Sequence, residues 1–416
     1  RVQSDAALRQ VAGEYAYDDN DQTVDELTLR GGGDEINDQL EMRLNDFDPA
    51  VRKAALLEAK DGFESGAIEA AKKTTIHNMH CHSFFSYNGY GYSPSYIVYL
   101  AKKMGFYAVG LVDFDVLDGV DEFREALKLL KVRGTCGMET RVFVPELADK
   151  EINSPGEPGI AYHLGCGFKS GKVPASQKAF AEMLRKNANN RTRKVVELVN
   201  GYLAPVTIDF DEVAKKYTPF GNVTERHVCS AYRDAAEKVF ADKAELAAFW
   251  SGKLAVSCEE AAKLLDNPVK LEGVIRSKTM KSGGVGYVQP SPESFPTLKD
   301  MNEFIIACGA KPTLAWLNGL SAGENALEEL LALHKEYGTA AATLIPARNV
   351  AGATPEKTAA LQKELDRFIF GCANEDLPLL AGTEMNAPGQ LLVDDFEDPA
   401  LKKHLALLLL GVDSFC

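Results

Sequence analysis

A chain of 416 residues, 45% of them hydrophobic, can bury a substantial core and form one large domain with additions or two to three modules. Its 46 basic and 60 acidic residues leave a formal charge of −14. That balance excludes a general nucleic-acid surface, which needs clustered Lys and Arg. The longest apolar run, LALLLLGV (residues 405–412), is far short of the roughly 20 residues of a membrane helix, so a soluble protein without membrane contact is expected. Eight cysteines stand singly with no C-x-x-C pair, which fits free thiols in a reducing cytoplasm.

Residues 1–73 alternate acidic loop with helix-like pattern, as in DPAVRKAALLEAK, where Asp48 and Pro49 supply an N-cap and a first helical position. This predicts an N-terminal helical extension without chemistry of its own. From Thr74 to residue 170, short apolar runs (TTIHNMH, YAVGLVDF, GTCGMETRVFV, GIAYHLGCGF) alternate with helical periodicity (SPSYIVYLAKKMGF, GVDEFREALKLLK), the signature of parallel βα units. Residues 171–286 are instead a succession of helical segments, from KAFAEMLRKNANN to SCEEAAKLLD, and read as an insertion. Alternation resumes over 287–416 with strands KPTLAWL, TAAATLIP and LPLLAGTEM between helices. About seven βα units interrupted once predict a TIM-like α/β barrel in two parts, 74–170 and 287–416, with a doubly wound open sheet as the other possibility.

In such a barrel the functional side chains come from the C-terminal ends of the strands. Those ends carry His80 and His82, then Asp113 and Asp115, Glu139, His163, Trp316, Glu384 and Asn386. His80 and His82 alternate by two, so both imidazoles can point to one side and grip one cation. Glu139 can add a carboxylate. His163 sits in an apolar strand, where a lone histidine is usually a core group, but the four together in one barrel-like order point to a metal site. His77, on the same strand as the pair, reads as a packing group low in the barrel, and His334 and His404 read as helix-terminal or surface residues.

The order HCHSFFS, VGLVDFD, GMET, YHLGCGF, a helical insertion, PTLAWLNG and LAGTEMN resembles the PHP superfamily, named for polymerases and histidinol phosphatases. The resemblance runs from about Thr74 to the C-terminus and is nearest the insert-containing metal-dependent phosphoesterases. It implies a distorted (β/α)7 barrel holding up to three divalent metals, often Zn, Mn or Fe, that activate water for phosphate-ester hydrolysis. Carried over, it places His80, His82, Glu139 and Glu384 on one metal, with Glu384 standing where the family has Asp. A second metal keeps Glu139 and His163 but meets Trp316 where the family has histidine. A third meets Tyr87 or Asn88, Phe114 and Asn386, which are poor ligands. The resemblance therefore implies a partly degenerate site with one metal, or two at most.

The insertion adds TERHVCSAYRDAAEKVF, where Thr224 can cap a helix whose first turn carries Arg226 and His227. These residues resemble the Arg-Pro-His element of related insert-containing phosphoesterases, which implies phosphate contact. Arg276, Lys278 and Lys281, before a glycine run, read as a solvated turn or a phosphate-binding lid, without the order of a P-loop. The reading is a hydrolase of a small phosphorylated molecule, a nucleotide or sugar phosphate, with Asp113, Asp115 and His227 as candidate catalytic groups. Two others stay open: a degenerate barrel that binds a ligand or partner, and a mononuclear hydrolase of C–N or C–O bonds.

Overall fold

In the computed structural model the described residues are 38–416, the side chain of Pro292 excepted. They fall into two compact units that divide between Ala70 and Ala71. Helix α1 (Pro49–Ser65) belongs to the first. Asp48 caps it by accepting from Ala50 N at 2.8 Å, Pro49 occupies its first turn, and Gly66 ends it in a left-handed conformation with φ 80°. Whatever the sequence predicts before residue 38 lies outside the described residues.

The second unit is built on a seven-stranded sheet in chain order, β1 (His77–Cys81), β2 (Ala108–Phe114), β3 (Gly134–Phe143), β4 (Ile160–Cys166), β5 (Lys311–Trp316), β6 (Ala341–Leu344) and β7 (Leu379–Ala381). It curls into a nearly closed barrel of mixed α/β architecture. Strands β1–β3 and β5–β7 are parallel, but β4 is antiparallel to both its neighbours. An unbroken run of parallel units is thus not what forms. Between Phe143 and Ile160 the chain makes only a 3-10 turn at Pro145–Leu147 and a loop, with no crossover helix, so it returns beside β3 as a broad hairpin. Glu139 pairs with Leu164 and Thr140 with His163. Paired residues share a face of the sheet, so Glu139 and His163 lie on opposite faces.

The seam between β7 and β1 is closed by a side chain. Asn78 Nδ2 donates to Thr383 Oγ1 and to the Leu392 carbonyl, both at 2.8 Å, while its Oδ1 accepts from His80 N at 3.1 Å and Thr383 N at 3.2 Å. A Cβ at position 382 would collide with His80 N and Asn78 Oδ1, so glycine is required there. Asn78 is fully buried. Asn78→Ala is expected to leave its partners unpaired and lower stability by about 2 kcal/mol, read as a shift of the urea midpoint; an unchanged midpoint would mean the seam does not depend on it.

The outer layer includes α2 (Pro94–Lys103), α3 (Val120–Leu130), α10 (Leu298–Ala307), α12 (Leu327–Glu336), α13 (Pro355–Asn374) and α15 (Leu405–Asp413). Between β4 and α10 lie six helices, α4 (Lys178–Leu203), α5 (Phe210–Tyr217), α6 (Glu225–Val239), α7 (Lys243–Leu254), α8 (Cys258–Leu265) and α9 (Pro268–Thr279). Their starts are written in the sequence: Asp209, Asp242, Ser257 and Asn267 each accept from a first-turn N–H. They enclose their own core around Val199, Leu203, Tyr232 and Trp250. Polar links that tie this layer to the barrel include Arg185 to Asp118 at 2.6 Å, and Asn222 Nδ2 to the Phe114 carbonyl at 2.9 Å. No helix among the described residues is long and apolar enough to cross a membrane.

Candidate metal centre

His80 ends the alternation of β1, His82 lies one residue beyond that strand, and Glu139 projects from β3. His80 Nε2 stands 2.9 Å from Glu139 Oε2, and His82 Nε2 stands 3.3 Å from the same oxygen. One ligand atom from each of the three lies within 4.8 Å of the others, and this is the only such group of three or more His, Cys, Asp or Glu among the described residues. Burial raises the cost of the Glu139 charge, yet His80 and His82 outweigh it and hold the carboxyl down to about 2. His80 Nδ1 and both ring nitrogens of His82 are buried without a hydrogen bond. Buried polar atoms in that condition are costly unless a cation or proton satisfies them. Two imidazoles and a carboxylate, converging on one point, fit a divalent metal with three protein ligands and a further position open.

Glu139 and His80 line a cavity of about 350 Å³ between the barrel mouth and the inserted helices. Its wall carries six cations, Arg141, Arg191, Arg226, Arg276, Lys281 and Arg348, against four acids, Asp115, Glu139, Glu225 and Glu384. Glu225 pairs with Arg276 at 2.9 Å and Lys281 at 2.7 Å, so these two residues of the basic segment belong to the cavity wall, while Lys278 is exposed and does not line it. Arg226 lies 5.4 Å from the Tyr87 ring and makes no ion pair among the described residues. Burial and the neighbouring Arg276 lower its pKa.

The other predicted residues are distributed as follows. Asp115 lies on the cavity wall, accepts from Thr140 Oγ1 at 2.5 Å and faces Arg191 at 3.6 Å. Asp113 is buried beneath it and accepts from Ser83 N, Ser83 Oγ and Ser86 Oγ, each at 2.7 Å. Burial raises its pKa against those bonds. Its work is to pin the loop after β1, not to face the cavity. His227 Nδ1 closes the N-terminus of α6 by accepting from Thr224 N at 3.1 Å, and burial pushes its pKa down to about 3. It meets the Tyr87 ring edge-on at 5.1 Å and supports that wall from behind.

His163 is not brought to the group. It faces the outer helices, with Nε2 2.7 Å from Asn302 Oδ1 and its ring beside that of His334, because its register pairs it with Thr140 rather than with Glu139. Glu384 lines the cavity but is turned to Arg348 at 2.8 Å and to Gln390 at 3.1 Å. Phe114 stacks on His82 at 4.0 Å, Trp316 stacks on Phe368 of α13 at 4.5 Å, and Asn88 bridges the His82 and Met385 carbonyls, each at 2.9 Å. His77 packs on Phe396 at 4.3 Å. His334, in the last turn of α12, and His404, at the N-cap of α15, lie at helix ends, but both are buried rather than on the surface, with Thr339 and Asp366 as partners. Arg141, Arg191 and Arg348 escaped the sequence reading. Arg141 was findable, since it lies two residues past Glu139 on one strand and therefore on the same face.

No protein-family profile matches the chain, and no curated protein sequence matches it. Among solved structures it is similar to an amidohydrolase from Chromobacterium violaceum with bound sulfate and no metal, with a TM-score of 0.52 and 15% identity, over 80% of this chain and 96% of that one. The shared feature is the fold. A candidate metal-dependent phosphoesterase from Bifidobacterium adolescentis is similar with a TM-score of 0.47 and 18% identity, over 82% of this chain and 98% of that one.

Proposed function

We propose that this protein is a metal-dependent hydrolase of the PHP type whose substrate is a small phosphate ester, such as a nucleotide or sugar phosphate. One observation carries the reading: the buried His80, His82 and Glu139 group opens into a cavity whose wall has six cations against four acids, in a chain of formal charge −14. An excess of cations inside an acidic protein selects for an anionic ligand. His80, His82 and Glu139 would hold a divalent metal, Zn, Mn or Fe, which would supply Lewis acidity and activate water for hydrolysis. Arg226, which makes no ion pair among the described residues, orients the phosphate by charge-assisted hydrogen bonds. Asp115 is assigned the proton-accepting role, with one oxygen bound by the Thr140 hydroxyl and the other facing Arg191.

A second reading, a barrel that binds a ligand without turning it over, rests on Phe114, which covers the face of His82 and dries that side of the group. Elemental analysis of the purified protein is expected to find about one divalent metal per chain, lost in His80→Ala. Phosphate esters, amides and lactones are then offered with Mn or Zn. Turnover of a phosphate ester supports the proposal and turnover of amides or lactones alone replaces it. A metal-bound protein that turns over nothing favours the binding role, and a metal-free protein of unchanged stability defeats the metal site.

A further inference from the structure

Glu384 is held in an unusual way. It and Met385 are consecutive non-glycine residues with positive φ, 68° and 48°. That conformation is disfavoured for L-residues and tends to collect at functional sites. The Glu384 carbonyl accepts from His82 N at 3.1 Å, and a parallel bridge pairs Glu384 with Cys81. Its α-carbon is therefore about one strand spacing, roughly 4.8 Å, from the segment carrying His80 and His82. From there a glutamate side chain reaches the His80, His82 and Glu139 group by rotation about its own bonds. Instead both carboxylate oxygens are engaged elsewhere, one with Arg348 Nη2 at 2.8 Å and the other with Gln390 Nε2 at 3.1 Å.

The Arg348 contact is an exposed one, the arginine side chain being 44% accessible and that of Glu384 17%. Ion pairs in that setting are weak and screened by salt, so a competing anion can dislodge this one. Arg348 lies on the cavity wall together with Arg226, where the anionic ligand of the reading above would bind. We propose that Arg348 is a positioning residue that holds Glu384 away from the His80, His82 and Glu139 group, and that an anion bound by Arg348 releases Glu384 to complete the ligand set. The inference rests on the metal-binding reading above. It makes occupancy of the anion pocket and strength of metal binding mutually reinforcing, as linkage requires.

Mn²⁺ affinity of the full chain, measured by calorimetry without any substrate, tests this. Arg348→Met is expected to bind Mn²⁺ about tenfold more tightly than the parent, Arg348→Lys to stay near the parent, and the gain to vanish when Glu384→Gln is added. Sulfate, compared with chloride at equal ionic strength, is expected to tighten Mn²⁺ binding in the parent and to have no such effect in Arg348→Met. Unchanged affinity in Arg348→Met, or a gain that survives without Glu384, overturns the inference while leaving the metal site standing. A parent protein that binds no Mn²⁺ overturns both.

Discussion

Replacing Glu139 by glutamine is expected to weaken metal binding sharply and to cut the kcat/KM of the proposed hydrolysis by about a thousandfold or more, several kcal/mol of transition-state stabilisation. The side chain keeps its size and buried position, so packing changes little. What disappears is the one negative charge that His80 Nε2 and His82 Nε2 share, at 2.9 and 3.3 Å. In the parent the carboxyl titrates at about 2, so it is ionised throughout the neutral range, and pH in that range does not mimic the substitution. The amide can still offer its oxygen, but without charge it no longer balances a divalent ion in a dry setting. Metal content and turnover should therefore fall together. A Glu139→Gln protein that keeps both would remove this residue from the site.

The part of this centre that could be read from the sequence is the part with a period. H-x-H on a strand puts both rings on one side whatever the rest of the fold does, and Glu139 closes the apolar run two strands on. The inserted helices were legible because their starts carry Asp, Ser and Asn caps. The direction of β4 was not. An apolar run such as IAYHLGC has the same pattern whichever way it is threaded, and only the absence of a helix between Phe143 and Ile160 reveals the reversal. His163 is turned to the outer layer by its register, which pairs it with Thr140 rather than with Glu139, and no local pattern states that pairing. Trp316 shows a related limit: its place at the end of β5 and on the cavity wall is as expected, but the stacking of its ring on Phe368 of α13 is encoded by no local pattern. Glu384 is turned to Gln390, six positions on, and to Arg348, 36 positions earlier, and no local pattern encodes the second pairing.

His163→Gln is expected to leave the metal content untouched and to make the protein less sensitive to acid. Asn302 Nδ2 donates to the Tyr337 carbonyl at 2.9 Å and to Thr339 Oγ1 at 3.2 Å, so its Oδ1 is the acceptor and His163 Nε2 carries the proton. Nδ1 is then the bare nitrogen, buried and without a partner. Protonating the ring would place a new N–H where nothing accepts it. Burial accordingly pushes the His163 pKa down to about 4, the Asn302 bond opposing only in part, and burial with the facing His163 drives His334 well below its ordinary value as well. Above pH 6.5 His163 is neutral in both the folded and unfolded chains and contributes nothing to the pH dependence. As pH falls through 6.5 the unfolded chain takes up a proton that the folded one refuses, and stability drops by about 1.4 kcal/mol per pH unit until the folded residue titrates too. The full loss between pH 6.5 and 4 is on the order of 3 kcal/mol from this residue. Glu324 and Asp394, both pushed up to about 7 by burial, act in the opposite direction over the same range and flatten the total curve. The decisive quantity is therefore the difference between the two proteins. Urea unfolding of parent and variant at pH 7 and pH 4.5 should show the variant losing about 2 to 3 kcal/mol less on acidification. Glutamine can keep a donor toward Asn302, which limits the change at neutral pH to the packing of the ring. Equal acid losses in parent and variant would show that His163 titrates in the folded protein much as it does in the open chain, and a loss of bound metal would return it to the metal centre.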